Sequence, residues 1–220
     1  MAGHSPLGEP DFGYLAYSID LGETWQEVPD TWDKPSPLIV RMFINMGMNY
    51  EGNTDGYVYA LAMGAETGWT PDGDPDFEDG TVYLMRVPVG EVLDFHAYEY
   101  LTAVDDGGDP TWAEDDPDAA TPLKGLVAHE MGGAVYHSGA DRYLFMTARP
   151  GALFEASNPW GPWVQVARIL EPGAAPSWED GSYIPNFITE GMGVDSFYFS
   201  VSSGGYYNLN MAKVDLTYQA

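Results

Sequence analysis

Apolar residues in this chain fall into short runs that turn residues cut off before a helix of ordinary length can form. The runs at 13–18, 38–45, 56–63, 81–88, 132–138, 142–148, 162–170, 194–202 and 207–216 are rich in Val, Ile, Leu, Tyr and Phe, residues that suit a pleated, half-buried surface. Several alternate with a period of two. In Asp195-Ser196-Phe197-Tyr198-Phe199-Ser200-Val201, the side chains of Phe197, Phe199 and Val201 share one face. The 26 glycines and 17 prolines supply turns between the runs. The one stretch of helical character is Gly90–Asp94, ahead of Tyr98. The expected fold is all-β.

Charge narrows the partners. The chain carries 34 acidic residues against 8 basic ones, a net charge of -26. Such a chain repels phosphate backbones, which excludes nucleic acid as a partner. Its self-repulsion is screened at ~1 M salt, where the Debye length is about 3 Å. Many acids, three lysines (Lys34, Lys124 and Lys213) and no cysteine lead us to expect adaptation to high salt; an acidic protein of ordinary salt is the alternative. The absence of cysteine excludes disulfides, thiolate zinc sites and cysteine nucleophiles. No apolar run approaches the ~20 residues of a membrane helix. Ala-Gly-His-Ser-Pro follows Met1, without the basic and apolar segments of a secretory leader.

Two acidic stretches, 70–80 and 105–118, interrupt the β pattern and are expected as surface excursions. Strand-like sequence resumes directly after each, so 1–220 is expected as a single domain. Internal repeats point to its form. A small-basic-β-branched triplet recurs as Met85-Arg86-Val87, Ala167-Arg168-Ile169 and Ala212-Lys213-Val214. The paired segments Ser18–Trp25 and Ser157–Trp163 start at serines about three units of ~46 residues apart, close to the length of a four-stranded propeller blade. Ser18 to Trp25 also matches the Asp-box pattern Ser-x-Asp-x-Gly-x-Thr-Trp. In such a turn the Ser and Asp side chains bond nearby backbone, Gly22 supplies a positive φ, and Trp25 is expected to pack between sheets. Asp20 therefore reads as structural.

Further stretches carry a family resemblance. They are Asp55-Gly56-Tyr57-Val58-Tyr59, Val82-Tyr83-Leu84-Met85-Arg86-Val87-Pro88, Ala97-Tyr98-Glu99-Tyr100, Pro159-Trp160-Gly161-Pro162-Trp163 and Tyr207-Asn208-Leu209. In this order, over about 13–216, the chain resembles the five-bladed β-propeller family first catalogued as a domain of unknown function, which includes endo-D-arabinanases. The resemblance implies a secreted, glycoside-hydrolase-like protein acting on arabinan-like polysaccharides. It also implies a first blade with essential aspartates ahead of the Asp-box. This chain begins almost at the Asp-box, so the expectation is a partial propeller of about four blades, incomplete at its N-terminus or without its catalytic blade. Near the C-terminus Ser202, Tyr207 and Asn208 match the family's Ser-x-Trp-x-x-Tyr-Asn, but Gly204 stands in place of the tryptophan.

Glycoside hydrolysis needs two carboxyl groups across the scissile bond. Glu130, in Val127-Ala128-His129-Glu130-Met131-Gly132, resembles the family's glutamate at the head of an inner strand and is the first candidate; a salt-bridged or solvated strand-end glutamate is the alternative. Asp55 is the second, although its Asp-Gly context also fits a turn. Asp33 is a candidate by position alone. His129, Tyr207 and Asn208 are the candidate substrate-binding residues. Trp160 and Trp163 offer faces for sugar stacking, or else pack against turns and sheets. Asp72, Asp74 and Asp76 alternate like a calcium loop, but Phe77 and Tyr83 occupy positions where the helix-loop-helix site has Gly and Glu. An irregular calcium site there is the alternative to a solvated acidic loop, and no cofactor is expected. His129-Glu130 opens like a zinc-protease motif, but Gly133 stands where the second histidine belongs. The leading expectation is interaction with a polysaccharide; non-catalytic carbohydrate binding and a protein-interaction propeller are the rivals.

Overall fold

The computed structural model describes residues 1–5, 12–33, 36, 38–47, 50–63, 80–148, 151–169, 182–203 and 208–217. These contain strands β1 (Ala2–Ser5), β2 (Phe12–Tyr17), β3 (Gln26–Asp33), β4 (Val40–Asn45), β5 (Tyr57–Met63), β6 (Tyr83–Pro88), β7 (Glu99–Val104), β8 (Pro110–Glu114), β9 (Gly132–His137), β10 (Arg142–Thr147), β11 (Ala152–Ala156), β12 (Val164–Arg168), β13 (Ser182–Ile188), β14 (Ser196–Ser203) and β15 (Leu209–Asp215). The helical segments among the described residues are single 3-10 turns, so the fold is all-β. The chain divides into two compact units, Met1–Phe43 with Asp55–Leu123, and Ile44–Thr54 with Lys124–Ala220.

In the first unit β1, β2 and β3 form an antiparallel meander. Residues 40–43 of β4 begin a second one, which continues through β5, β6, β7 and β8. Alternation decides which side chains meet. Leu15, Val28 and Trp32 from the first meander pack with Ala60, Ala62, Met85, Val87, Tyr98 and Tyr100 from the second and its loops. Each fully buried large side chain contributes roughly 1.5–3 kcal/mol. Trp32 stacks on Phe95 at 3.7 Å and donates from Nε1 to the Tyr100 hydroxyl at 3.2 Å.

A buried cation is built into this core. Arg41 is 6% exposed and lies over the Trp32 ring at 3.9 Å. It donates to the carbonyls of Leu38 at 3.0 Å, Ile39 at 3.2 Å and Tyr14 at 3.0 Å. Burial lowers its pKa to about 9. Gly13 makes this arrangement possible, because a Cβ there would collide with the Ile39 carbonyl and the Arg41 guanidinium.

The second unit holds a four-stranded antiparallel sheet, β9–β10–β11–β12, and a three-stranded one, β13–β14–β15. The last two residues of β4, Ile44 and Asn45, pair in parallel with Ala134 and Val135 of β9. Val135, Leu144, Met146 and Leu153 pack with Phe187, Phe197, Phe199 and Val201. His137 is fully buried beside this core. Its Nδ1 accepts from the Ala140 N–H at 3.0 Å, so Nε2 carries the proton and donates to the Ser196 carbonyl at 3.3 Å. This ties the end of β9 to the start of β14.

All nine runs read from the sequence contain strands. β1, β3, β7, β8, β11 and β13 were not anticipated, and for β3, β8 and β13 the residues explain why. β3 and β8 are polar and contain Pro29 and Pro110. β13 contains Pro185, where its register with β14 shifts between Tyr183 and Asn186. Several expectations need correction. The 105–118 stretch is not simply a loop: Pro110–Glu114 pairs with β7, and Pro117–Ala119 is a 3-10 turn. The helical turn expected at Gly90–Asp94 is a 3-10 turn at Val89–Glu91, one residue earlier, and a second follows at Phe95–Ala97. Trp25 does not pack between sheets; it is 50% exposed, with Nε1 donating to the Gly22 carbonyl at 3.2 Å. The basic triplets do not mark one structural position. Arg86 lies in β6, paired on both sides, whereas Arg168 ends β12 and Lys213 lies in β15, each paired on one side among the described residues.

Candidate functional site

Glu130 and His129 belong to the second unit, on the irregular segment that leads into β9. Thr147, at the end of β10, is paired with Gly132 and donates from Oγ1 to the Glu130 carbonyl at 2.9 Å. The two glycines that follow allow the close approach. A Cβ on Gly132 would collide with the Met146 carbonyl, and one on Gly133 would come 2.7 Å from Asn186 Oδ1. This packing leaves Glu130 7% exposed and His129 half-buried. Burying a carboxyl group at the head of a strand is costly.

Asp55 belongs to the first unit and is exposed. Its Oδ1 accepts from the Tyr57 N–H at 3.0 Å and its Oδ2 from the Tyr59 hydroxyl at 2.7 Å. Gly56 follows with a φ of +82°. These contacts make Asp55 the turn residue that starts β5. They also join it to a cluster that sequence reasoning missed. Arg86 donates from Nε to Glu99 Oε2 at 2.7 Å, with Nη2 at 2.6 Å from the same oxygen. The Tyr57 hydroxyl donates to Glu99 Oε1 at 3.3 Å. The guanidinium is held between the Tyr57 and Trp112 rings, 4.0 Å from each centroid. Burial, then the Asp55 contact, pushes the Tyr59 phenol well above its ordinary range. The register pairs Tyr59 with Arg86 and Arg86 with Glu99. The legible signal was Tyr57 and Tyr59 at i and i+2, on one face of the strand.

The remaining candidates lie apart from these two places. Asp20 accepts at Oδ1 from Thr24 N–H at 2.9 Å and at Oδ2 from Thr24 Oγ1 at 2.6 Å, while Ser18 Oγ accepts from Gly22 N–H at 2.8 Å. Asp20 is a turn residue, as its pattern indicated. Asp33 is exposed at the end of β3 and accepts from Thr31 Oγ1 at 2.8 Å. Asn208 is exposed; its Oδ1 accepts from Ser203 Oγ at 2.5 Å and its carbonyl from Ser203 N–H at 3.4 Å, closing the β14–β15 hairpin. Trp163 is 2% exposed and donates from Nε1 to the Pro159 carbonyl at 3.1 Å, so its faces are packed inside. Tyr207, and Asp72, Asp74 and Asp76, lie outside the described residues. Among the described residues no three metal-ligating side chains converge, and no helix is long and apolar enough to cross a membrane.

A family model described as a domain of unknown function, DUF4185, matches residues 6–213. No curated protein matches the chain.

Proposed function

This chain belongs to the DUF4185 family, and we propose from that premise that it is a glycan-interacting β-propeller of secreted type. Consecutive antiparallel meanders support the propeller reading. The glycan reading rests on Glu130. A carboxyl-bearing side chain 7% exposed at the head of β9 supports the reading of an acid shielded from water. His129, beside it in sequence, supplies a hydrogen-bonding group for a sugar hydroxyl. Arabinan-like polysaccharides are the proposed substrate class.

The test is release of reducing ends from an arabinan-type polysaccharide, with Glu130→Gln alongside. On the enzyme reading, wild type releases product and the variant loses activity by about 100-fold or more while melting as wild type does. Equal turnover in the two proteins would remove Glu130 from the mechanism. Saturable sugar binding with no product from either protein would favour a carbohydrate-binding module.

A further inference from the structure

We propose that Asn186 of β13 hydrogen-bonds hydroxyl groups of the sugar chain received at Glu130, as a binding residue and not a catalytic one. The inference rests on the glycan reading and lies wholly within the second unit. It starts from a close approach. A Cβ on Gly133 would come 2.7 Å from Asn186 Oδ1, 2.8 Å from Asn186 Cα and 3.1 Å from the Phe187 nitrogen. Glycine therefore lets β9 and β13 meet at this point and brings the Asn186 amide against β9. Gly133 is three residues beyond Glu130, and three residues of chain span at most roughly 11 Å. An oligosaccharide reaches across that distance.

The contact lies at the margin of the core, on the Glu130 side. Two residues further along β9, Val135 belongs to the same buried cluster as Phe187, whereas Asn186 is exposed. The strand register shows how the amide comes to face outward. Tyr183 opposes Ser202 and Asn186 opposes Ser200, so three steps on β13 match two on β14. The extra residue makes a bulge at Ile184 and Pro185. Pro185 has no N–H to give to the ladder, and Ile184 has a φ of +42°. A bulge bends its strand and re-aims the side chains beside it. Counted without the extra residue, Asn186 would oppose Phe199, whose side chain is buried in the core. With it, Phe187 opposes Phe199 and Asn186 is turned out.

The exposed amide is free to bind. Ser200 Oγ donates to the Asn186 backbone carbonyl at 3.5 Å, and among the described residues the side chain of Asn186 makes no hydrogen bond. It carries two N–H donors and an oxygen acceptor. Neighbouring hydroxyls of a sugar ring donate and accept in the same way, so one amide meets both. Being neutral, it selects by hydrogen bonding and not by charge, which suits a polysaccharide of uncharged sugars.

The test is calorimetric titration of an arabinan-type oligosaccharide into Glu130→Gln, which holds sugar without turnover, and into the same protein carrying Asn186→Ala. We expect the dissociation constant to rise about tenfold with Tm unchanged, because Asn186 is exposed. With Glu130 in place, Asn186→Ala should raise KM by a similar factor and leave kcat within about twofold. Equal binding with and without Asn186→Ala would overturn this inference alone and leave the glycan reading standing. Absence of binding by wild type and by Glu130→Gln would overturn the glycan reading and the role of Asn186 with it. Weaker binding together with a fall in Tm of several degrees would overturn the inference in favour of a structural role for the bulge. A fall in kcat at unchanged KM would overturn it in favour of a part in the chemistry.

Discussion

His96 and Asp20 both act through hydrogen bonds in exposed turns, and their contributions respond to pH with opposite signs. The His96 Nδ1 lies 3.0 and 2.9 Å from the two Asp115 oxygens, and its pKa is raised above 6.5, first by that hydrogen bond and then by the carboxylate's charge. A cation favoured by the folded state binds its proton more tightly there than in the unfolded chain. Its contribution is therefore complete below pH 6.5 and is lost as pH rises through the folded value. Replacing His96 with Asn is expected to lower Tm at pH 5 and to leave it unchanged at pH 9, measured by thermal melts at both. Equal effects at the two pH values would contradict this. Asp20 has the reverse sense. Its carboxyl is lowered to about 2, chiefly by Thr24, so its contribution is present above its ordinary value of 3.8 and is lost as pH falls toward 2. Asp20 was legible in the sequence because its partners are four residues away at most. The Arg86–Glu99 pair was not, because the two sit on different strands and meet only through cross-strand register.

At the scale of elements, strands made of a continuous apolar run announced themselves, and the polar, proline-containing β3 and β8 did not. β5 is a nearly continuous apolar run because Tyr59 to Met63 are all buried. β3 turns Val28 and Trp32 inward and leaves its other residues exposed, so its sequence reads as loop. β8 is hidden between acidic residues for the same reason. Glycines at close approaches carry a further constraint that composition does not reveal. Gly139, in the turn after β9, faces the Val194 backbone so closely that a Cβ would collide with it. This places the β9–β10 turn against the segment leading into β14. Gly139→Ala is expected to cost about 1–3 kcal/mol, as overpacking does, measured by urea denaturation. A cost under about 0.5 kcal/mol would show that the turn shifts freely. The candidate site was legible to the same degree as its elements. The stretch at Glu130 stood out as a motif, while the glycine-permitted packing that buries it depends on contacts with β10 and β13.

Across the whole molecule, the dominant physical fact is charge. With 34 acidic and 8 basic residues, repulsion destabilises the folded state at low ionic strength and is screened at high ionic strength. We therefore expect Tm to rise by several degrees between about 0.05 and 1 M NaCl; a flat profile would remove salt adaptation from the interpretation. All-β architecture was readable from the sequence, and DUF4185 membership now covers residues 6–213. The division into two compact units was not readable, because neither acidic stretch marks it and the first of its three crossings falls inside β4. The measurement that bears most directly on function is calorimetric titration of Glu130→Gln with an arabinan-type oligosaccharide. A glycan-interacting protein gives saturable heat with one site per chain, and the variant keeps that binding because its side chain is nearly the same in size. No heat from the variant or from wild type, over sugars that include arabinan fragments, would contradict the glycan assignment.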